Sequence, residues 1–269
     1  MMTMIKTLAA LSFLFSSISG VMAQIAPRDV VAALAPSGKL RVAINFGNTV
    51  LAQKDPATGE PRGISVDLAR ELASRLGVPI EVTTFDAAGK MTDAFKRGEL
   101  DIVFLAIDPV RGADIDFTGP YVLIESVYVV PEASPLKTNE EVDRPGVRIA
   151  VARGSAYDLY LTRAIKSATL VREGSGPQAL DMFVRDKLEA AAGVKQPIIA
   201  FANSRSDMRV IPGRFMAVEQ AIGTPKGRDI GVRYLRSLVE ELKASGFVAD
   251  GLKRSGQTDA VVAPPAPVK

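Results

Sequence analysis

Apolar and polar positions follow a regular order over residues 39–107. In KLRVAIN, the side chains of Leu40, Val42 and Ile44 fall on one face, which predicts a strand. GISVDLARELASRLG repeats apolar residues four positions apart and ends at Gly77, as an amphipathic helix with a glycine C-cap does. A strand at PIEVTTF, a helix at AAGKMTDAFKRG and a buried strand at LDIVFLAI follow. This order predicts a largely parallel sheet flanked by helices.

A second series of the same kind starts near Gly146. VRIAVA, ATLVR and LEAAAGV predict strands, while AYDLYLTRAIKS, PQALDMFVRDK and QPIIAFAN predict helices, the second opened by Pro177. Two extended runs, DFTGPYVLIESVYVVPE and RVIPGRFMAVEQAIGT, enclose this series, and a long helix is predicted over residues 229–244. The chain is therefore expected to pass from one α/β unit to another and to return.

The composition excludes several kinds of chemistry. The 269 residues include no histidine and no cysteine, which rules out a Ser-His-Asp triad, a thiol nucleophile, an ordinary zinc site and a disulfide. We expect no metal and no cofactor. The net charge is only +3 and there is no long basic run. Nucleic-acid binding, which needs a basic stripe with stacking aromatics, is not expected.

The N-terminus has the pattern of a secretory signal peptide over residues 1–23. Lys6 supplies a positive charge, residues 8–18 are apolar, and small residues at 21–23 precede a cleavage point before Gln24. The alternative is a membrane anchor, but the apolar run is shorter than the roughly 20 residues that a spanning helix needs. The sequence predicts export with cleavage, and no lipid anchor because there is no cysteine at the cleavage point.

Two stretches carry a resemblance to a known family. They are GISVDLARELASRLGVPIEV and AFKRGELDIVFLAIDPVRGADIDFTGPYV, followed by VARGSA and TPKGRDI. The chain resembles the bacterial solute-binding proteins of family 3, the mostly amino-acid-binding components of ABC importers. The matching positions are Gly63, Asp67, Leu68, Ala69, Leu76, Gly77, Gly98, Asp101, Arg111, Asp116, Phe117, Thr118, Pro120 and Tyr121. The resemblance covers nearly the whole chain after the signal peptide.

This resemblance implies a fold and a partner. The fold is an α/β, two-lobed periplasmic-binding-protein-like fold (type II), in which each lobe is a mostly parallel sheet flanked by helices and two strands form the hinge. Lobe 1 is predicted over residues 24–124 and 213–257, lobe 2 over 125–212, and a disordered Pro-rich tail over 258–269. We expect a monomer in the periplasm that captures an amino acid or similar small carboxylate and delivers it to a membrane ABC permease.

The junction of VRIAVA with the next helix is a candidate anion site. The first N–H groups of a helix have no partner within it and carry partial positive charge, so they attract a carboxylate. Gly154 permits close approach, Ser155 adds a hydroxyl, and Ala156 opens the helix. Ser155 is alternatively an ordinary N-cap. The resemblance implies that a ligand carboxylate binds here.

Arg111 is the second candidate. A guanidinium pairs with both oxygens of a carboxylate, which a lysine does not do. The resemblance implies that Arg111 clamps the ligand from lobe 1 while Ser155 closes from lobe 2, so that ligand stabilises closure. The alternative is a surface arginine paired with Asp108 or Asp114.

Three further positions belong to the predicted site. Phe46 lies where family members often have an aromatic residue against the ligand; alternatively it is a core residue at the edge of a loop. Asn48, two residues later, is a further candidate for ligand contact. Ala106 stands where family members have a hydroxyl before the arginine, so that ligand donor is missing.

The chain also departs from the family near residues 193–196. Family members hold the ligand's ammonium there with an aspartate, whereas this chain has Gly-Val-Lys-Gln. A buried ammonium without a carboxylate is costly. An amino acid remains the first expectation, and an amine-free acid such as a dicarboxylate, bound with the help of Arg153 and Lys195, is the second. The alternative interpretation is that the side chains of Arg153 and Lys195 point to solvent.

Two other functions are possible for this fold. A few relatives dehydrate cyclic carboxylic acids such as prephenate with a buried carboxylate, for which Glu125 or Glu173 are candidates, although nothing in their spacing requires a catalytic pair. Related lobes also serve as sensors, and this chain would then act as a free co-receptor. We expect a binding protein rather than an enzyme.

Overall fold

The structure, a computed structural model, describes residues 25–257 and 259–267. The predicted signal peptide lies outside the described residues. No helix in the described ranges is both long enough and apolar enough to cross a membrane.

The predicted helices and strands occur in the predicted order, together with shorter elements that were not predicted. The helices are α1 (Arg28–Leu34), α2 (Ile64–Leu76), α3 (Ala88–Lys96), α4 (Ala156–Ala164), α5 (Gly176–Arg185), α6 (Lys195–Asn203), α7 (Asp229–Ala244) and α8 (Phe247–Arg254). The strands are β1 (Leu40–Asn45), β2 (Gln53–Lys54), β3 (Pro61–Arg62), β4 (Ile80–Phe85), β5 (Ile102–Ala106), β6 (Ile115–Phe117), β7 (Val122–Pro131), β8 (Arg148–Ala152), β9 (Thr169–Glu173), β10 (Ala190–Val194), β11 (Met208–Val210), β12 (Met216–Pro225) and β13 (Val261–Val262).

The apolar periodicity explains the long helices. Helix α2 buries Ile64, Leu68, Leu72 and Leu76 on one face and ends at Gly77, whose φ of 65° is the left-handed conformation that glycine adopts freely. Helix α7 has the predicted bounds because its apolar positions keep a helical period throughout. The sequence did not predict α1 and α8, which have 7 and 8 residues, too few for the periodicity to be recognised.

One continuous sheet runs through both halves of the molecule. Its order is β4-β1-β5-β12-β7-β10-β8-β9. The outer groups, β4-β1-β5 and β10-β8-β9, are parallel, whereas β12 and β7 pair antiparallel from Met216↔Ser126 to Gln220↔Val122. These two ten-residue strands are the two extended crossings predicted from the sequence.

Separate hydrophobic cores lie on either side of the crossing strands. We call lobe 1 the part whose cores contain α1–α3, α7 and α8, and lobe 2 the part whose cores contain α4–α6. The predicted lobe boundaries at residues 124 and 212 fall within β7 and just before β12. The parallel strands of both lobes end facing the space between them, which is where open α/β sheets bind ligands.

The end of the chain differs from the predicted disordered tail. Val261 and Val262 form β13, which pairs with Leu123 and Val122 of β7, and the N–H of Ala263 donates to the carbonyl of Tyr121 at 3.1 Å. The segment is ordered over residues 259–267 because it finds unpaired backbone groups on β7. Composition alone does not reveal such a partner.

Candidate functional site

Two neighbouring cavities lie between the lobes. The larger has a volume of about 220 Å³ and the smaller about 50 Å³. They share lining residues from lobe 1 and from lobe 2: Gly47, Asp86, Tyr157, Gly176 and Val194. They are therefore two compartments of one interlobe cleft.

The larger cavity is mainly apolar. Lobe 2 lines it with Tyr157, Leu180, Pro197 and Ile198, and Phe46 lines it from lobe 1. Phe46 follows β1 directly and is half-buried, with the ammonium of a neighbouring lysine 5.4 Å from its ring centroid. The predicted aromatic residue thus stands in the wall of a cavity that suits an apolar group.

The smaller cavity is lined by polar groups from both lobes, among them Asn48, Arg153, Ser155 and Gln220. Asn48 is buried, and its side-chain oxygen accepts the Val50 N–H at 3.3 Å. The side-chain oxygen of Gln220 is buried and has no hydrogen-bond partner among the described residues. An unpaired buried polar atom costs free energy, so a ligand donor at this position would be stabilised.

The N-terminus of α4 faces the smaller cavity, but part of it is already occupied. The Ser155 hydroxyl oxygen accepts the Asp158 N–H at 3.1 Å, so Ser155 is the N-cap of its own helix and a cavity residue at once. The Asp158 carboxylate accepts the Gly154 N–H at 2.8 Å. The N–H groups of Ala156 and Tyr157 bond to no acceptor among the described residues. They are the main-chain donors that remain for an anion.

Arg111 lies at the contact between the lobes. It is 2% exposed, and its guanidinium donates to the carbonyl of Ala106 at 3.0 Å and to the carbonyl of Gly154 in lobe 2 at 2.8 Å. Burial lowers the pKa of Arg111 to about 10. Arg111 is thus buried rather than a surface arginine, although the nearby Asp108 carboxylate opposes the effect of burial on its pKa.

The Arg111 guanidinium meets lobe 2 at Gly154, next to Ser155. Its guanidinium is engaged with main-chain carbonyls, however, and neither Arg111 nor Ala106 lines the two cavities. The role of Arg111 as a carboxylate clamp stays a prediction.

Two other contacts hold the lobes together. Arg163 of α4 donates to the carboxylate of Asp108 at 2.7 Å, and Asp108 is 5% exposed. Gly89 of α3 packs against the main chain at 153–154: a Cβ on Gly89 would lie 2.6 Å from the carbonyl oxygen of Arg153. The structure is therefore a closed arrangement in which lobe surfaces touch.

Lys195 does not line the cleft. Its ammonium lies 2.6 Å from the carboxylate of Glu125 on β7, and Arg214 approaches the same carboxylate at 3.5 Å. The structure places Lys195 in a charged group at the crossing strands because Glu125 offers it a carboxylate there. Arg153, by contrast, is exposed at the rim of the smaller cavity and has no side-chain ion pair among the described residues.

Asp86, Tyr157 and Gln220 line the cavities but were not predicted from the sequence. Asp86 follows β4 directly, at the carboxyl end of a parallel strand, and the general rule for ligand sites in such sheets would have selected it. Tyr157 lies within helix α4 and Gln220 within strand β12. The hydrophobic pattern of such elements separates buried from exposed positions but does not identify residues that line a ligand site. The described residues contain no cluster of three acidic, histidine or cysteine side chains that could hold a metal ion.

Comparison with known proteins gives the family. Residues 40–255 match the family of bacterial extracellular solute-binding proteins, family 3. The chain is 17% identical over 223 residues to the ABC transporter glutamine-binding protein GlnH of Bacillus subtilis, covering 81% of each chain.

Solved structures share the fold. A mutant of ArgBP from T. maritima has a TM-score of 0.71 at 22% identity, covering 84% of this chain and 99% of that one. An ancestral amino acid-binding protein, a precursor of cyclohexadienyl dehydratase, has a TM-score of 0.67 at 23% identity, covering 83% and 97%. The two-lobed α/β fold predicted from the sequence is confirmed, and the chain belongs to the bacterial extracellular solute-binding proteins of family 3.

Proposed function

We propose that the protein captures an amino acid or a similar small carboxylate by closure of its two lobes and delivers it to an ABC permease. The observation that carries this proposal is the cleft of about 220 and 50 Å³ whose walls come from both lobes. A ligand held by both walls stabilises the closed form, because the open form offers only half of its contacts. Relatives named as a glutamine-binding protein and a probable histidine-binding protein support an amino acid as the ligand.

The ligand lies across the two compartments. Its carboxylate occupies the smaller cavity, where the N–H groups of Ala156 and Tyr157 and the hydroxyl of Ser155 are available. The positive end of the α4 dipole adds about 0.3–2 kcal/mol to the binding of an anion. The rest of the ligand packs against the apolar walls of the larger cavity. Arg111 supports the site by holding the Gly154 carbonyl in place.

The protein binds its ligand without chemical turnover. Of the two candidate acids, Glu125 is held by Lys195 and Arg214 at the crossing strands, and neither Glu125 nor Glu173 lines the cavities. A dehydratase needs a carboxylate that touches its substrate. The similarity to a precursor of cyclohexadienyl dehydratase keeps prephenate as the compound to test.

Export and partner recognition complete the proposal. The predicted signal peptide at residues 1–23 directs the chain to the periplasm, where it acts as a monomer. The permease contacts both lobes in their closed position, so only the loaded protein presents the complete surface.

Calorimetric titration of the protein without residues 1–23 tests the proposal. We expect at least one of the twenty L-amino acids to bind, and succinate, the representative dicarboxylate, to bind more weakly. Prephenate should be recovered unchanged. If no amino acid or dicarboxylate shifts the melting temperature or releases heat, capture of a small carboxylate is contradicted. Turnover of prephenate would favour the dehydratase. Binding of an ABC permease to the purified protein would support transport, whereas binding of a sensor kinase would support sensing.

A further inference from the structure

Among the described residues of lobe 2, none that lines the two cavities carries a carboxylate. The family aspartate is expected near Gly193. An added Cβ at Gly193 would lie 2.9 Å from the side chain of Ile198. Ile198 fills this space and lines the cavity instead. Lys195, two residues further on, bonds to Glu125. If the ligand carries an ammonium, its counter-charge must come from lobe 1.

Lobe 1 presents one candidate, Asp86. Among the described residues that line the two cavities, Asp86 is the only one with a carboxylate, and it lines both of them. Its backbone is held against the loop after β1, since a Cβ on Gly47 would lie 2.3 Å from the Asp86 carbonyl oxygen. The residue therefore stands at a fixed point where the polar and apolar compartments meet.

The present partner of Asp86 is easily exchanged. Lys90 donates to its carboxylate at 2.8 Å, but the side chains of Lys90 and Asp86 are 53% and 61% exposed. An exposed ion pair between neighbouring turns contributes little to stability, because water screens it. The hydrogen bond from Lys90 keeps the pKa of Asp86 below its ordinary value, so the carboxylate is ionised at neutral pH. It can accept a ligand ammonium in place of Lys90.

We propose that Asp86 receives the ammonium of the ligand and that the ligand is an α-amino acid with an apolar side chain. This inference rests on the proposed function. An α-amino acid carries its carboxylate, ammonium and side chain on one carbon atom. With that atom at the junction of the compartments, the carboxylate faces α4, the ammonium faces Asp86 and the side chain enters the larger cavity.

The larger cavity selects against charged side chains. Apart from Asp86, none of the described residues that line it is charged, and its walls include Phe46, Leu180, Pro197 and Ile198. Once Asp86 has paired with the ammonium, a basic side chain would find no carboxylate and an acidic one no cation. Burial of an unpaired charge is unfavourable, so aliphatic and aromatic side chains bind best. A volume of about 220 Å³ suits a small ligand.

Paired probes test the role of the ammonium. L-leucine and L-phenylalanine are titrated beside 4-methylpentanoate and 3-phenylpropanoate, which lack only the amine. We expect the unmodified protein to bind the amino acids at least tenfold more tightly than the amine-free acids. In Asp86→Asn, affinity for leucine should fall at least tenfold while affinity for 4-methylpentanoate stays within threefold. Asp93→Asn, at an exposed position of helix α3, which Asp86 precedes, is the matched control and should behave as the unmodified protein.

Each other outcome overturns a defined part of the inference. If Asp86→Asn keeps the preference for leucine, Asp86 does not receive the ammonium. If the amine-free acids bind as tightly as the amino acids in the unmodified protein, the ligand class is wrong while capture of a carboxylate stands. If only polar or charged amino acids bind tightly, the prediction of an apolar side chain is wrong, while the role of Asp86 is not affected. Absence of binding by all small carboxylates contradicts the proposed function itself.

Discussion

Gly89 permits the closed arrangement of the lobes, and Gly89→Ala is expected to oppose it. The added methyl group would lie 2.6 Å from the carbonyl oxygen of Arg153, much closer than the roughly 3.5 Å of a favourable contact. Both partners are main chain, since Gly89 belongs to α3 and position 153 directly follows β8. The clash is therefore relieved by separating the lobes by roughly 0.5–1 Å, rather than by rotating a side chain.

Separation weakens the bonds that cross between the lobes. The hydrogen bonds from Arg111 to Gly154 and from Arg163 to Asp108, at 2.8 and 2.7 Å, would lengthen beyond about 3.2 Å, where such bonds become weak. A hydrogen bond with a charged partner contributes about 1.5–3 kcal/mol. Loss of one such bond reduces the ratio of closed to open protein roughly ten- to hundredfold. The apparent ligand affinity falls by up to the same factor.

Small-angle scattering and calorimetry measure this effect. Gly89→Ala should have a larger radius of gyration without ligand and should bind its best amino acid more weakly than the unmodified protein, by a factor of up to roughly ten to one hundred. Its melting temperature should not fall, because alanine favours a helix over glycine by about 0.5–1 kcal/mol. Gly112→Ala is the control: it adds the same methyl group to lobe 1, with nothing within 4 Å. Equal affinities for both variants would refute the reasoning.

Three further predictions concern the bonds around the site and the core of lobe 1. Arg163→Ala leaves the buried Asp108 without its cation, and titration should show roughly tenfold weaker ligand binding. If the pair acts as a unit, the double variant Arg163→Ala/Asp108→Ala should bind the ligand only slightly more weakly than Arg163→Ala. Ser155→Ala removes the N-cap of α4 and should lower the free energy of unfolding in urea by about 1 kcal/mol, and an unchanged value would show that the cap is not structural. Asp101 is buried: burial raises its pKa, but hydrogen bonds from two arginines outweigh this and lower it overall. The stabilisation by Asp101 is therefore complete above its ordinary pKa and is lost as the pH falls through the lowered pKa. Asp101→Asn should be about 1.5–3 kcal/mol less stable at pH 7, as expected for lost hydrogen bonds to charged groups, and should lose this deficit in strong acid.

The sequence predicted much of the fold because long elements carry enough repeats to define a period. Helix α7 has its predicted ends, and β7 and β12 are the two predicted crossings. Short elements such as α1, α8 and β13 were missed, since their positions depend on packing partners elsewhere in the chain.

The site was less predictable than the fold. Ser155, Phe46 and Asn48, selected by their places in the family pattern, line the cleft, whereas Gly154 lines neither cavity. The pairing of Lys195 with Glu125 was not, because the partners are 70 positions apart and meet only through the register of the sheet. The local sequence also gave no sign that Arg111 would donate to main-chain carbonyls, which depends on where lobe 2 lies.

Strand β13 has a consequence for handling the protein. It covers a border of β7, a strand that runs through both lobes, next to Val122 and Leu123. An uncovered strand border offers unpaired amide and carbonyl groups to other molecules and is a template for aggregation. Truncating the polypeptide before Val261, or fusing a bulky affinity tag that pulls this segment away, would expose that border and encourage self-association that could be mistaken for a natural dimer.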